Sequence, residues 1–297
     1  MFRIARRFDA LRRISDPLYV LVVVIVFGFS LLLNFIGFHG SNAHAMIEAH
    51  ESSRVVSWSL RPTFFGNLGL IAIVIGAVVI GLGHIAPREL GISWRNAAVG
   101  CAALPLAWCA FQIAECGMGV AGAGFAFNSS WSSASGIERV TSEWFGQIFG
   151  NAPYEELVFR AFLIPQTYMR MPGRSVLARL IGAILVSQVF FAAAHIGTRV
   201  FKAHLGGAEL FVSLARVFVL GVAFAWIYLR TLNPFVASAF HAISNFPQPL
   251  YYSSRVHFSN DTWLAYLLVA LVFGAAFPLF ERYVIGVREK SSWVNES

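Results

Sequence analysis

Charge is what this chain has least of. Asp, Glu, Lys and Arg make up 12% of its 297 residues, against about 25% in an ordinary soluble domain. That shortage excludes a water-soluble globular protein. Low-complexity tracts and solenoid-type repeats are absent. So are the short alternating segments from which a transmembrane β-barrel is built. Cysteine is scarce: Cys101, Cys109 and Cys116 all fall in one apolar segment, with no C-x-x-C spacing. They form neither a disulfide framework nor a metal motif, and are expected to act as small packing residues.

What is present is apolar: 57% of the residues are hydrophobic. They gather in successive windows of about 20, the length a helix needs to cross a bilayer. The expected fold is all-α, a polytopic membrane helix bundle of about eight transmembrane helices. The spans are placed near 17–38, 64–85, 97–116, 144–164, 177–197, 209–229, 234–251 and 262–281. "AHA" at 43–45 resembles a signal-peptide cleavage site. The apolar core before it is longer than the usual ~7–15 residues of such a peptide, so an uncleaved first span is expected. The connectors are short and no linker divides the chain, which implies one membrane domain over 1–297. The net charge of +7 points to the bilayer rather than to nucleic acid, because the basic residues sit between apolar runs. Under a cytoplasmic N-terminus and eight spans, the inside segments hold more than twice as many Lys and Arg as the outside ones. This bias places both termini in the cytoplasm, and the expected location is the inner membrane of a prokaryote.

Against this background a few polar residues stand out. A charge at the bilayer centre costs about 2.5–3.5 kcal/mol on insertion scales. Those inside spans are Glu115, Glu155, Glu156, Arg160, His195, Arg216 and His241, with the amide Asn245. In "NAPYEELVFRAFLIPQ", 151–166, Glu156 and Arg160 lie four apart and about 40° apart around a helix. They are placed to pair. Glu155 lies about 140° from Arg160, so it is left for a partner on another helix. Pro153 lacks a backbone donor and suits a first helical turn. A break is expected there, with Asn151 as cap and Glu155 near a helix N-terminus. The competing reading is a buried structural network of all three charges.

His195 ends the apolar run "SQVFFAAAHIG", 187–197, and His241 and Asn245 share a face of "NPFVASAFHAISNF", 233–246. A lone histidine of this kind is more often a satisfied core residue. A histidine and an amide together are able to donate to a developing oxyanion, or equally to bond neighbouring helices. Such groups offset their cost in lipid only by meeting inside the bundle, where they suit general acid–base work. Glu115 and Arg216 carry no catalytic expectation.

"EELVFR" at 155–160, "FAAAH" at 191–195 and "HAISN" at 241–245 resemble the E-E-x-x-x-R, F-x-x-x-H and H-x-x-x-N motifs of the CPBP family, the CAAX proteases and bacteriocin-processing (ABI) enzymes. The resemblance covers roughly 140–250 and departs at Ala161, where the family often has glycine. It implies an intramembrane endopeptidase built as an eight-helix bundle, acting on a membrane-associated protein or peptide. By the same resemblance Glu155 and His195 would activate a water, His241 and Asn245 would form the oxyanion hole, and Glu156 and Arg160 would support the site. The cofactor is left unassigned. A glutamate-type mechanism needs none; a divalent metal such as zinc stays open because one glutamate and two histidines are suitable donors, although H-E-x-x-H is absent. Two other readings stand beside it. One is a membrane scaffold that retains the site without turnover. The other is a proton-coupled transporter, which would show an internal repeat; "YEELVFR" has no counterpart in the other half.

Overall fold

The computed structural model describes residues 2–39, 62–118, 120, 124–171, 173–253 and 263–283. The tripeptide at 43–45 and the basic residues Arg54, Arg61, Arg255, Arg288 and Lys290 lie outside them. Nine helical rods are described: α1 (Phe2–Asp9), α2 (Asp16–His39), α3 (Pro62–Leu70, prolonged by Ile71–Leu82), α4 (Trp94–Met118), α5 (a continuous rod from Ala134 to Met169), α6 (Val176–Ala194), α7 (Gly207–Thr231), α8 (Pro234–Asn245) and α9 (Trp263–Tyr283). Two short strands, β1 (Phe125–Phe127) and β2 (Tyr251–Ser253), pair antiparallel. The bundle is all-α apart from that ribbon, and one apolar core contains residues from every rod.

Five segments are long and apolar enough to cross a membrane: Phe64–Leu82, Pro87–Met118, Val176–Lys202, Gly207–Thr231 and Trp263–Tyr283. Asp16–Leu32 is a shorter apolar helix. This is an integral, multi-pass membrane protein. The expected span at 234–251 is corrected in form. Its helix, α8, has 12 residues, about 18 Å at 1.5 Å per residue, short of the ~30 Å hydrocarbon core. Phe246 leaves helical geometry (φ −149°, ψ 73°), and a non-helical run follows to β2. Backbone outside a helix is tolerated at membrane depth only when protein satisfies it. Pro247 and Pro249 have no N–H, so the demand falls on carbonyls. Three indoles meet it: Trp144 Nε1 donates to Phe246 O (2.8 Å), Trp108 Nε1 to Gln248 O (3.3 Å) and Trp131 Nε1 to Pro249 O (3.2 Å).

Two junctions fix the helices that matter for the site. The Asn233 side chain accepts from Phe235 N at 2.9 Å and caps α8, with Pro234 in its first turn. The helix then lies so close to α4 that a Cβ on Gly100 would come within 2.5 Å of Phe235 Cβ. At the other end of α5, the N-terminal arm docks on Gln166 and Arg170. Gln166 Nε2 donates to Arg12 O (2.8 Å), and Ile14 N donates to Gln166 Oε1 (3.2 Å). Arg170 Nη2 donates to Ile14 O (2.7 Å), its Nε pairs with Asp16 (3.0 Å), and its guanidinium lies 4.3 Å from the Tyr19 ring centroid.

Two further expectations are corrected. α5 does not break at Pro153. Instead the helix widens over Gln147–Asn151, where Ala152 N–H donates to Gln147 O five residues back. That one-residue insertion keeps the rod running past a residue without a donor. Asn151 is helical (φ −65°, ψ −57°) and makes no side-chain cap. The cysteines are not packing residues: all three are exposed on α4, turned outward from the bundle. Glu115 is buried and Arg216 half-buried.

Removing the Arg170 side chain frees two carbonyls and a carboxylate at the arm. Arg170→Ala should lower stability by about 1–3 kcal/mol, read as a lower Tm in detergent. An unchanged Tm would show that the arm is not held there.

Candidate active site

The widened stretch of α5, Glu156–Leu163, is buried at every position. Glu156 and Arg160 form the expected pair, with Arg160 Nη1 3.1 Å from Glu156 Oε1 and both side chains fully buried. An isolated charge would not survive there; Arg160 is enclosed on all sides. Its Nη2 donates to Gln188 Oε1 (3.0 Å) on α6 and to Gly221 O (3.2 Å) on α7. Its guanidinium carbon lies 4.1 Å from the Phe191 ring centroid and 5.4 Å from that of Phe224, a cation–π arrangement strengthened by desolvation. Gly221 makes this approach possible, since a Cβ there would meet Gln188 Oε1 at 2.6 Å and Phe191 Cδ1 at 2.8 Å.

Glu155 points away from that pair, as its place on the helix requires. Its Oε1 lies 4.0 Å from His195 Nε2 and its Oε2 lies 3.5 Å from His241 Nε2. Side chains from α5, α8 and the end of α6 thus converge. His195 follows the last residue of α6, and its Nδ1 bonds to Phe191 O at 2.8 Å. A carbonyl only accepts, so Nδ1 carries a proton, and in the neutral ring Nε2 presents a lone pair towards Glu155. Phe191 also packs edge-on to the ring, at 4.8 Å.

His241 is stacked on Phe224 (centroids 4.2 Å apart), and its Nδ1 bonds to Glu156 Oε1 at 2.8 Å. Glu156 therefore serves two partners, Arg160 and His241, where sequence spacing indicated only the first. Exposure rises across the cluster: 0% for Glu156, 2% for His241, 12% for Glu155 and 23% for His195. The cluster is most exposed on the Glu155–His195 side.

Asn245 is exposed, one turn beyond His241. Its Nδ2 donates to Gln147 Oε1 at 3.0 Å. Among the described residues no hydrogen bond or ion pair joins it to Glu155, His195 or His241. Sequence reasoning missed Gln188, Gly221, Phe224 and Gln147. Gln188 was legible as an amide inside an apolar run; Gly221 gave no signal, because a glycine in an apolar helix is ordinary until its neighbour is known.

The donors here are of types that bind a divalent cation such as zinc. Among the described residues, however, no group of three or more His, Cys, Asp or Glu is arranged to hold one.

Arg160→Ala should destabilise the protein by about 3–5 kcal/mol, because it leaves Glu156 buried without its cation. Thermal unfolding in detergent measures this, and a wild-type Tm would contradict the network.

Residues 138–247, just over a third of the chain, match the family model described as Rce1-like, type II CAAX prenyl endopeptidase. That segment contains every residue of the cluster. No curated protein and no solved structure matches the chain. Over that segment, which also holds the three motifs, the chain is similar to the type II CAAX prenyl endopeptidases.

Proposed function

We propose that the protein is an intramembrane endopeptidase in which Glu155 and His195 activate a water and His241 and Asn245 hold the oxyanion. The observation that supports this best is the meeting of Glu155 with two imidazoles from separate helices, at 4.0 and 3.5 Å. The wider gap suits a bridging water better than a direct bond. Glu155 accepts a proton from that water while His195 Nε2 accepts its second hydrogen as a hydrogen bond. The hydroxide adds to the scissile carbonyl, and charge moves to the carbonyl oxygen. His241 donates to that oxygen through Nε2, while its Nδ1 is held by Glu156. The Asn245 amide is the second donor. Glu155 then passes its proton to the leaving nitrogen, which departs as an amine while the carbonyl carbon keeps the water oxygen.

Glu156 and Arg160 act through His241 and do not touch the reacting atoms. Substrates are membrane-associated proteins or peptides, because the cluster lies within a bundle bounded by lipid-length helices. We assign the protein, again as a proposal, to a prokaryotic inner membrane with both termini cytoplasmic. That assignment rests on the bias of basic residues between spans and extends over 1–297 as one membrane domain, with its catalytic core at about 140–250.

Glu155→Gln keeps shape and removes the base. Cleavage should fall by about 10²–10⁴-fold, with membrane insertion and Tm preserved. Comparing protein N-termini in membranes carrying wild type or Glu155→Gln identifies substrates. An identical set of N-termini in the two would count decisively against proteolysis.

A further inference from the structure

Asn245 has to offer an N–H to the oxyanion, yet it stands exposed at the last position of α8. A primary amide there rotates freely about its terminal bond unless something selects one face. Rotated by half a turn, it would aim Oδ1 at a developing negative charge, and the hole would repel what it should bind.

Two residues of α5, one turn apart, grip this point. Gln147 Oε1 accepts from Asn245 Nδ2 at 3.0 Å. Trp144 Nε1 donates to the carbonyl of the next residue, Phe246, at 2.8 Å. Gln147 is itself held, because Asn151 Nδ2 donates to the same Oε1 (3.3 Å), and Asn67 Nδ2 donates to Asn151 Oδ1 (3.4 Å). The amide chain thus runs from α3 across α5 to α8, with donation converging on Gln147 Oε1 from both sides. Gln147 begins the widened turn Gln147–Asn151. The insertion that carries the rod past Pro153 therefore also sets the register that brings Gln147 to Asn245.

We propose that Gln147 and Trp144 are positioning residues for the oxyanion hole. Gln147 takes one of the two Nδ2 hydrogens of Asn245 and so leaves the other for the oxyanion, with Oδ1 turned away. Trp144 holds the backbone at the end of α8 so that the amide cannot swing out. Neither residue touches the substrate. The inference rests on the oxyanion role proposed for Asn245 and adds the device that makes it effective.

The test is steady-state cleavage by the full chain in detergent, using a peptide spanning a cleavage site found in the membrane comparison. A phosphinic analogue of that peptide stands in for the tetrahedral intermediate. Gln147→Leu removes the acceptor at similar size. It should lower kcat about tenfold, the effect of losing one modest hydrogen bond, leave KM within about twofold, and weaken the phosphinic peptide in parallel with kcat. Gln147→Glu keeps an acceptor and should recover most of the loss. Trp144→Phe keeps the ring but not the N–H, and should lower kcat with the same split. In an Asn245→Ala background, Gln147→Leu should cost nothing further, because the two act as one unit.

Wild-type kcat in Gln147→Leu, or a full additional loss on top of Asn245→Ala, would overturn the inference while leaving the peptidase assignment intact. Wild-type kcat in Asn245→Ala would remove the oxyanion role and this inference together. A Gln147→Leu variant that loses kcat and raises KM equally, with a lowered Tm and no recovery in Gln147→Glu, would mark a merely structural residue and overturn it as well.

Discussion

Everything in this bundle is organised around keeping one guanidinium charged where no water reaches it. Arg160 has no exposed atom. Its charge is stable there because Glu156 lies 3.1 Å away, two oxygens accept its Nη2, and two aromatic rings lie within 5.4 Å of its guanidinium carbon. At an effective dielectric constant near 20, such a contact is worth several kcal/mol before desolvation is subtracted. The net gain is small and the loss of either partner severe. The network is therefore better understood as a device for position than as a source of stability. It ties α5 to α6 and α7, and through Glu156 it fixes His241 on α8.

The same constraint explains the backbone around it. Glu155 and Glu156 are adjacent, so one helix faces them in two directions, and one carboxylate is spent on structure while the other meets His195 and His241. The wide-turned stretch Glu156–Leu163 lies entirely in the core. It leaves carbonyls that other helices satisfy, as Ser187 Oγ does by donating to Phe159 O. Wide turns inside helices are frequent at functional sites, and here they lie on either side of Ala152–Glu155. The short α8 and its tryptophan-bound continuation follow the same economy: a helix stops inside the bundle only where indoles replace the missing donors.

The sequence made much of this visible. Hydropathy alone specified an all-α membrane bundle, since runs of about 20 apolar residues have one inexpensive conformation in lipid. The i,i+4 spacing of Glu156 and Arg160 was enough for their pairing, because both lie on one helix and need no tertiary information. The opposite direction of Glu155 followed from the same geometry. Pro153 misled: a missing donor predicts a break, but a one-residue insertion satisfies the same condition, and local sequence does not distinguish the two outcomes. The cysteines misled in the other direction, since size says nothing about which face of an apolar helix meets lipid.

Sequence by itself determined which residues were too polar for their surroundings, and hence that Glu155, Glu156, Arg160, His195, His241 and Asn245 had to find partners. Only the tertiary structure decided who those partners are. His241 turned to Glu156 at 2.8 Å, Arg160 to Gln188 and Gly221, and Asn245 to Gln147. The physical reason is that desolvation is a property of a residue and its segment, whereas a hydrogen bond between helices depends on their relative height and rotation. Those are set by contacts such as Gly100 against Phe235, which no spacing rule along a single helix encodes.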